Sequence, residues 1–454
     1  MYSTPQKLLN CNGWVSGFFA LWFALFLAGS ETSVAQVRQT QEQTLTLNGA
    51  VELALKQNID IQIAALELAT HQQERVIARS KLLPQAEFDG SESVTRYNKK
   101  ALIGMSGSPY SIGPYQSIHV GPSFSTPIFD LTLLRQYQAS GHRLQASRED
   151  QQTVHEETVL LAVSEYMAHL RALAAIAAAQ SRVKLASSLA KQANDLRNDG
   201  VATRIDVSRA EVRLREEKQR LIDAERDAET SMYALKRILN IPDSQPIAFA
   251  DREAFSVTPS LDLSDPAAIA LAQRPELKSL AQNVLAAKDL HAAAVAESLP
   301  KLKFAGNWNE QGGNLTTITP GYEYRFDLNL PIFTSGRLKA ERKNTAIVEQ
   351  TTERQLQQAR NQVTEQVHDG EVEIQAALNQ VELGKQEVQL ANEEVTLSQG
   401  RFQSGVTDNI EVIAAQDSLA RANDEEINAL YRYNIARAQL AHAVGGIEQI
   451  YTRP

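Results

Sequence analysis

The chain offers few residues whose types and spacing could support catalysis. The closest match is Ser188-Leu189-Ala190-Lys191, in which a serine and a lysine have the spacing of an acyl-transfer nucleophile and its base. The segment lies within a predicted helix and lacks the companion motifs of such enzymes, so we interpret it as a coincidence. The sequence also has no phosphate-binding loop and no dinucleotide-binding fingerprint. We therefore expect no enzymatic activity and no cofactor.

Metal binding and nucleic-acid binding are not predicted either. The net charge of −9 and the lack of a basic patch argue against a nucleic-acid partner. The one cysteine, Cys11, follows Asn10, which departs from a lipoprotein processing site, so lipidation is not expected. The histidines do not have the spacing of metal ligands. They are His71, His119, His142, His155, His169, His291, His368 and His442.

The N-terminal residues 1–35 are predicted to form a secretory signal peptide. Lys7 gives the positive charge, an apolar run of about fourteen residues begins at Val15, and Ser33-Val34-Ala35 offers a small-residue cleavage site. The run is shorter than the roughly twenty residues of a membrane-spanning helix. After Gln36 we expect no apolar stretch of that length, so only a β-barrel could cross a membrane.

The remaining chain contains two copies of an internal repeat. Four landmarks recur in the same order, at 54–61 and 270–277, 83–90 and 299–306, 127–129 and 331–333, and 200–207 and 405–412. The division that we predict is a first repeat over 36–247, a proline-containing linker over 248–264, a second repeat over 265–447 and a tail over 448–454.

Each repeat is predicted to contain a very long helix. No proline lies between Pro127 and Pro242 or between Pro331 and Pro454, and both spans are rich in good helix formers. A helix from about Leu131 to Asn198 would be roughly 100 Å long. Such a length requires a coiled-coil or tube arrangement.

Apolar residues in the second repeat form two seams with a seven-residue spacing. Because the seams are offset by two residues, they lie on opposite sides of a helix. This pattern favours a helix that contacts a neighbour on each flank, as in the wall of an α-barrel. A buried helix of a large bundle is the alternative. The first seam is Val367, Ile374, Val381, Val388, Val395 and Phe402, and the second is Ala376, Leu383, Leu390 and Leu397.

Two strands are predicted in each repeat, over about 85–126 and 301–330. Tyr322, Tyr324 and Phe326 alternate with polar residues, as in a β-barrel strand that has lipid on one face and a water-filled lumen on the other. A half-buried sheet of a soluble protein would show the same alternation. Glu92 falls on the lipid side, so it lies above the membrane or the register fails there. Four strands leave two open edges, which a trimer sharing one barrel of about twelve strands would remove.

The repeated layout and the motif Arg401-Phe402-Gln403-Ser404-Gly405-Val406 together resemble the TolC-type outer-membrane efflux factors. The resemblance extends from about Leu47 to Gly446. It implies a mainly α fold, with long coiled-coil helices in an α-barrel and four strands in a trimeric 12-stranded transmembrane β-barrel. It also implies that the helix turns contact a periplasmic adaptor. The implied contact residues are Gly200, Val201, Ala202, Arg401, Phe402, Gly405, Val406 and Thr407.

The resemblance further implies a pore constriction formed by Asp206 and Glu411. Three copies of a carboxylate about 6 Å apart would repel each other by roughly 3 kcal/mol per pair and would attract cations. Alternatively, both acids simply favour the start of a helix. Phe402 and Thr407 replace a tyrosine and an arginine that lock the closed state in some members. The first turn has Leu196 where the motif's arginine would fall.

The function that these features predict is that of a passive exit duct in the outer membrane with a periplasmic helical extension. Its implied partners are two further copies of the chain, a periplasmic adaptor and an energised inner-membrane pump. Two alternatives are a type I secretion exit channel for proteins and a periplasmic coiled-coil scaffold without a pore. The sequence does not identify the transported substrate.

Overall fold

The computed structural model describes residues 43–98, 111–250, 264–313, 316 and 318–452. The predicted signal peptide and most of the predicted linker lie outside these residues. The first half consists of β1 (Gln43–Leu45), α1 (Leu47–Gln57), α2 (Ile59–Ser80), β2 (Gln85–Asn98), β3 (Ser111–Phe129), α3 (Leu131–Asn198), α4 (Arg204–Ile238) and β4 (Ile247–Phe249). The second half consists of α5 (Pro266–Gln273), α6 (Pro275–Ala296), β5 (Lys301–Gly312), β6 (Thr319–Asn329), α7 (Arg337–Gln403), α8 (Asn409–Val444) and α9 (Ile447–Thr452).

Helix α3 confirms the long helix that the sequence predicts. It contains 68 residues and begins where the carboxylate of Asp130 accepts a hydrogen bond from the backbone N–H of Leu133. It ends just before Gly200, whose φ of 78° turns the chain back into α4. In the second half, α7 has 67 residues and returns through Gly405 into α8.

The two seams of α7 do lie on different sides of the helix. Val367, Val381 and Val395 of the first seam are buried, and α7 packs along α8. The second seam is open in the single chain, since Leu383, Leu390 and Leu397 are 62%, 65% and 69% exposed.

The largest apolar cluster lies where α1, α3, α4 and α9 meet, and we call it the equatorial core. Val159, Val163 and Tyr166 of α3 are fully buried there, and the Tyr166 hydroxyl donates to the backbone oxygen of Leu45 in β1. Strand β1 pairs in parallel with β4 beside this cluster.

The expectation that no apolar stretch after Gln36 is long enough to cross a membrane is wrong. Helix α3 contains an 18-residue stretch with a mean hydropathy of 1.4, sufficient by length and composition alone. The same helix supplies many alanine, valine and leucine side chains to packed interfaces, such as Ala162 and Leu170 of the equatorial core. Helix packing therefore accounts for this composition.

The four long strands form one antiparallel sheet in the order β2-β3-β5-β6. Gly306 of β5 lies opposite Phe124 and Tyr324 on the neighbouring strands. The ring centroids of Phe124 and Phe304 are 5.5 Å apart, and those of Phe124 and Tyr324 are 6.2 Å apart. A Cβ atom at Gly306 would lie 2.7 Å from both Phe124 and Tyr324, so only glycine fits beneath these rings.

One face of the sheet is apolar and exposed, and the other is polar. Phe88, Tyr322, Phe326 and Leu328 are exposed on the apolar face. Glu92 occupies the same face, four residues along β2 from Phe88, so the predicted register holds, and Glu92 lies near the middle of the strand. On the polar face, side chains pair with each other, as in the Nε–Oδ2 contact of 3.1 Å between Arg325 and Asp327, two residues apart on β6.

Candidate functional site

The two turns that join the long helices to their return helices lie side by side. Gly200 and Gly405 have φ values of 78° and 68°, in the left-handed region that glycine tolerates best. In each turn a backbone N–H closes the end of the long helix, from Val201 to Leu196 O at 2.9 Å and from Val406 to Arg401 O at 3.0 Å. A Cβ atom at Gly405 would lie 3.9 Å from Cγ1 of Val201, so the turns are in contact.

Apolar side chains are exposed around the turns. Val201 and Ile205 of the first half and Val406 and Ile410 of the second are all exposed. We call these four residues the tip patch. Exposed aliphatic groups gathered at one end of a long helical body are suited to contact another protein.

Asp206 is engaged in a helix cap. Its carboxylate accepts hydrogen bonds from the backbone N–H of Thr203, at 2.9 Å, and from the Thr203 hydroxyl, at 2.6 Å. The Thr203 hydroxyl in turn accepts from the backbone N–H of Asp206, at 3.3 Å. This reciprocal pair is a capping box at the start of α4, and it leaves Asp206 only 7% exposed.

Glu411 occupies the corresponding position of the second repeat but has different contacts. Its carboxylate lies 3.4 Å from Nε of Arg401, and its side chain is 39% exposed. Asp408, not Glu411, accepts the capping hydrogen bond, from the backbone N–H of Ile410. Glu411 is therefore the more accessible of the two predicted constriction acids.

Phe402 is buried between the two halves near the turns. It is 4% exposed and packs in a cluster with Leu189, Ala193, Val207, Ala210 and Val412. Asn409 reinforces this contact, because its Nδ2 donates a hydrogen bond of 2.7 Å to the backbone oxygen of Asp206. Sequence reasoning missed Asn409, which replaces Arg204 at the same position of the repeat.

An ionic cluster further along the helices also joins the halves, and sequence reasoning missed it. Glu217 of α4 is 1% exposed and contacts Arg182, Arg213 and Arg220. Arg213 also pairs with Asp417, and Arg182 pairs with Asp424, both on α8. The sequence signal for this cluster was the seven-residue spacing of these two aspartates, which places them on the same side of α8.

The largest pKa shifts occur away from the turns. Burial raises the pKa of Glu156 to about 7, with a further contribution from the charge of Glu448. Burial also lowers the pKa of His442 to about 4, aided by the positive charge of Arg274. Within the described ranges, His, Cys, Asp and Glu form no group of three or more that could hold a metal ion.

Comparison with known proteins agrees with this architecture. The pyoverdine export outer membrane protein OpmQ of Pseudomonas putida is 24% identical over 410 residues, covering 88% of this chain and 86% of that protein. The alkaline protease secretion protein AprF of Pseudomonas aeruginosa is 24% identical over 421 residues, covering 89% of this chain and 85% of that protein. The solved structure of the outer-membrane channel OprN has the same fold, with a TM-score of 0.78 at 17% identity over 88% of this chain and 90% of that one. A model of the outer membrane efflux protein family matches residues 50–240 and 268–446, and the chain belongs to this family.

Proposed function

We propose that three copies of this chain form a passive duct that exports small molecules through the outer membrane. The observation that carries the proposal is that one chain has two unpartnered apolar surfaces, the exposed face of its sheet and the open seam of α7. Both surfaces need additional copies or lipid to cover them. The two stretches matched by the family model support the division into a first repeat over 36–247 and a second over 265–447.

The sheet supports a shared barrel. Among the described strands, β2 and β6 pair on one side only, which leaves two open edges that hydrocarbon cannot satisfy. Joining β6 of one copy to β2 of the next removes every edge and gives twelve strands in a trimer. The apolar face, including Phe326 and Leu328, would then contact lipid, and the polar face with Arg325 and Asp327 would line the lumen.

The open seam of α7 supports a shared helical wall. Leu383, Leu390 and Leu397 are exposed in the single chain, and a neighbouring copy in the barrel arrangement would cover them. The duct would therefore continue from the membrane along helices of about 100 Å into the periplasm.

The turn end is the proposed narrow end of the duct. We assign the tip patch and the turn residues Gly200, Ala202, Gly405 and Thr407 to contact with a periplasmic adaptor, which would connect the duct to an inner-membrane pump. Arg401 and Glu411 would lie at the constriction. Asp206 would contribute through the capping box that fixes the start of α4.

A charge introduced into the open seam tests assembly. Leu390→Glu places a carboxylate in the proposed subunit interface, whereas Gln389→Glu adds the same charge at the adjacent exposed position. We expect native mass spectrometry to give trimers for Gln389→Glu and a loss of trimers for Leu390→Glu. Trimers in equal yield from both variants would contradict the seam interface.

Planar-bilayer conductance tests the duct and its constriction. We expect the detergent-solubilised protein to conduct, and Glu411→Ala to change the ratio of cation to anion permeability. An exposed acid on α7, Glu394, provides the control substitution Glu394→Ala. Unchanged conductance and ion preference in both Glu411→Ala and Asp206→Ala would remove the constriction assignment.

Protein secretion is the second candidate function, because AprF is named for the secretion of alkaline protease. Deletion of the gene should raise sensitivity to some toxic small molecules if efflux is the role. Unchanged sensitivity across a broad panel, together with loss of a secreted protein, would favour secretion.

A scaffold without a pore would be extracted by salt, whereas a barrel would require detergent.

A further inference from the structure

Two glycines join α8 to α9, the last helix among the described residues. Gly445 ends α8 with a φ of 79°, in the left-handed region, and Gly446 follows it directly. A Cβ atom added at Gly446 would meet nothing within 4 Å, whereas one added at Gly445 would lie 3.3 Å from Cα of Arg274. Because glycine adopts many backbone conformations, this pair can serve as a hinge between the two helices.

Helix α9 is held in place by contacts with the rest of the chain. Ile447 and Tyr451 are 0% and 5% exposed, and both belong to the equatorial core. Nη1 of Arg437 lies 3.5 Å from the hydroxyl oxygen of Tyr451. A helix of only six residues has little stability of its own in water. The position of α9 therefore depends on these docking contacts.

A buried carboxyl group of α3 lies against the first turn of α9. Glu156 is 6% exposed, and its carboxylate accepts a hydrogen bond from the backbone N–H of Ile447. The next residue, Glu448, brings a second carboxylate close to it. The amide of Gln152 donates to Oε2 of Glu448, at 2.9 Å, and also to Glu156. Two acids from different helices thus meet where α9 begins.

The surroundings of Glu156 favour its neutral form. Its Oε2 is buried and has no hydrogen-bond partner in the part of the chain that the structure describes. Arg274, between α5 and α6, supplies a positive charge, but its guanidinium is already paired with Glu276 and donates to Gln366. Burial, followed by the charge of Glu448, raises the pKa of Glu156 to about 7. An ionised carboxylate at this position is therefore unfavourable while α9 is docked.

We propose that α9 is a proton-dependent latch on the equatorial core, docked when Glu156 is protonated and released about the glycine hinge when Glu156 is ionised. On ionisation the proton passes to water. Release then hydrates the carboxylate and separates it from Glu448. This inference goes beyond the proposed function, because it concerns one segment of a single chain and requires no pore.

The direction of the pH dependence follows from proton linkage. The docked state binds the proton of Glu156 with a pKa of about 7, and the released state binds it with a pKa near the ordinary value of 4.5. The equilibrium constant for release should therefore rise about tenfold per pH unit between about pH 4.5 and 7, and stay constant above pH 7. The latch is thus tightest in acid and loosest at neutral pH.

A spin label on α9 tests the latch. Gln449→Cys, at an exposed position, carries the label in a Cys11→Ser background, and the mobile fraction of its spectrum reports release. Between about pH 5 and 7.5 this fraction should rise at least about threefold in the parent protein. Glu156→Gln cannot ionise, so its mobile fraction should stay low and constant. Glu157→Gln, at the exposed neighbouring position, is the matched control and should keep the rise.

Two further variants test the hinge and the second acid. Gly445→Ala is strained by its positive φ and by the contact with Arg274, so it should release α9 at every pH. Glu448→Gln should reduce the rise without abolishing it, because burial contributes more than the charge of Glu448 to the pKa of Glu156. This variant also tests the latch if Glu156→Gln does not fold.

Three results would overturn the proposal. One is a mobile fraction of the parent that does not change between about pH 5 and 7.5, while Gly445→Ala is mobile. The second is an equal rise in the parent and in Glu156→Gln, which would assign the pH dependence to another group, such as His442, that both proteins retain. The third is an immobile label in Gly445→Ala, because α9 would then not turn about the glycine pair.

Discussion

Asn409, the first residue of α8, donates a hydrogen bond from Nδ2 to the backbone oxygen of Asp206 in α4, over 2.7 Å. The two residues are 203 positions apart, and Asn409 is completely buried. One amide thus connects the start of the return helix in the second repeat to the start of its counterpart in the first.

The first prediction concerns this connection. Asn409→Ala leaves the oxygen of Asp206 buried and without this donor, so we expect a loss of about 1–2 kcal/mol of local stability at the turns. Hydrogen exchange of the backbone amides of residues 200–207 and 405–412 should accelerate. Asn428→Ala, an exposed change in the same helix, should have no such effect. Equal exchange rates in the two variants would show that the hydrogen bond does not stabilise the turns.

The second prediction concerns the capping box of α4. Thr203→Ala and Asp206→Ala should each destabilise the protein by about 1 kcal/mol, because each removes part of the same reciprocal pair. The double variant should lose less than the sum of the single variants. Chemical denaturation of the three variants measures this coupling. Strict additivity would indicate that the two side chains do not act as a unit.

The third prediction concerns the glycine beneath the aromatic rings. Gly306→Ala should destabilise the sheet by about 1–3 kcal/mol, because the added methyl group would overlap Phe124 and Tyr324. Gly90→Ala is the control, since the nearest atom to its added Cβ is 4.0 Å away. The yield of heat-resistant oligomer on gels measures the effect. Similar yields from both variants would mean that the rings move aside freely.

The fourth prediction concerns pH. The pKa of Glu156 is raised to about 7 in the folded protein, so the folded state binds more protons than the unfolded state between about pH 4.5 and 7. Stability should therefore fall as pH rises through this window, by up to about 3 kcal/mol from this group. Above pH 7 the effect is complete, because Glu156 is ionised in both states.

Glu156→Gln removes this titration, so the free energy of unfolding of the variant relative to the unsubstituted protein should increase by up to about 3 kcal/mol between about pH 4.5 and 7. The lowered pKa of His442 gives a dependence of opposite sign that is present in both proteins and cancels in this comparison. Glu157→Gln, at the exposed neighbouring position, should keep the slope of the unsubstituted protein. A variant at Glu156 that retains the full slope would assign the pH dependence to another group.

Local patterns in the sequence predict the elements well. The bounds of α3 follow from Asp130 at its start and Gly200 beyond its end, and the two seams of α7 follow from a spacing that any helix enforces. The strands follow from alternation, and even the placement of Glu92 on the apolar face is confirmed by the register.

Contacts between the repeats could not be predicted in the same way. The pairing of Arg213 with Asp417 and of Asn409 with Asp206 joins residues that are far apart in the chain, and no local period encodes it. The wrong expectation about α3 has a different origin, because the mean hydropathy of its 18-residue stretch can be read from the sequence but does not say what that stretch contacts. Alanine, valine and leucine raise mean hydropathy equally whether a helix packs against protein or crosses lipid.

The open seam of α7 has a consequence for the life of the chain before assembly. A newly exported copy presents a row of leucines and an uncovered aromatic sheet to water, and both are surfaces on which unrelated chains aggregate. In the proposed trimer, encounter with two further copies would therefore compete with aggregation, and its success would depend on local concentration. Under that proposal, the yield of assembled ducts would depend on how long the uncovered leucines and aromatic rings stay in contact with water, as well as on the rate of synthesis.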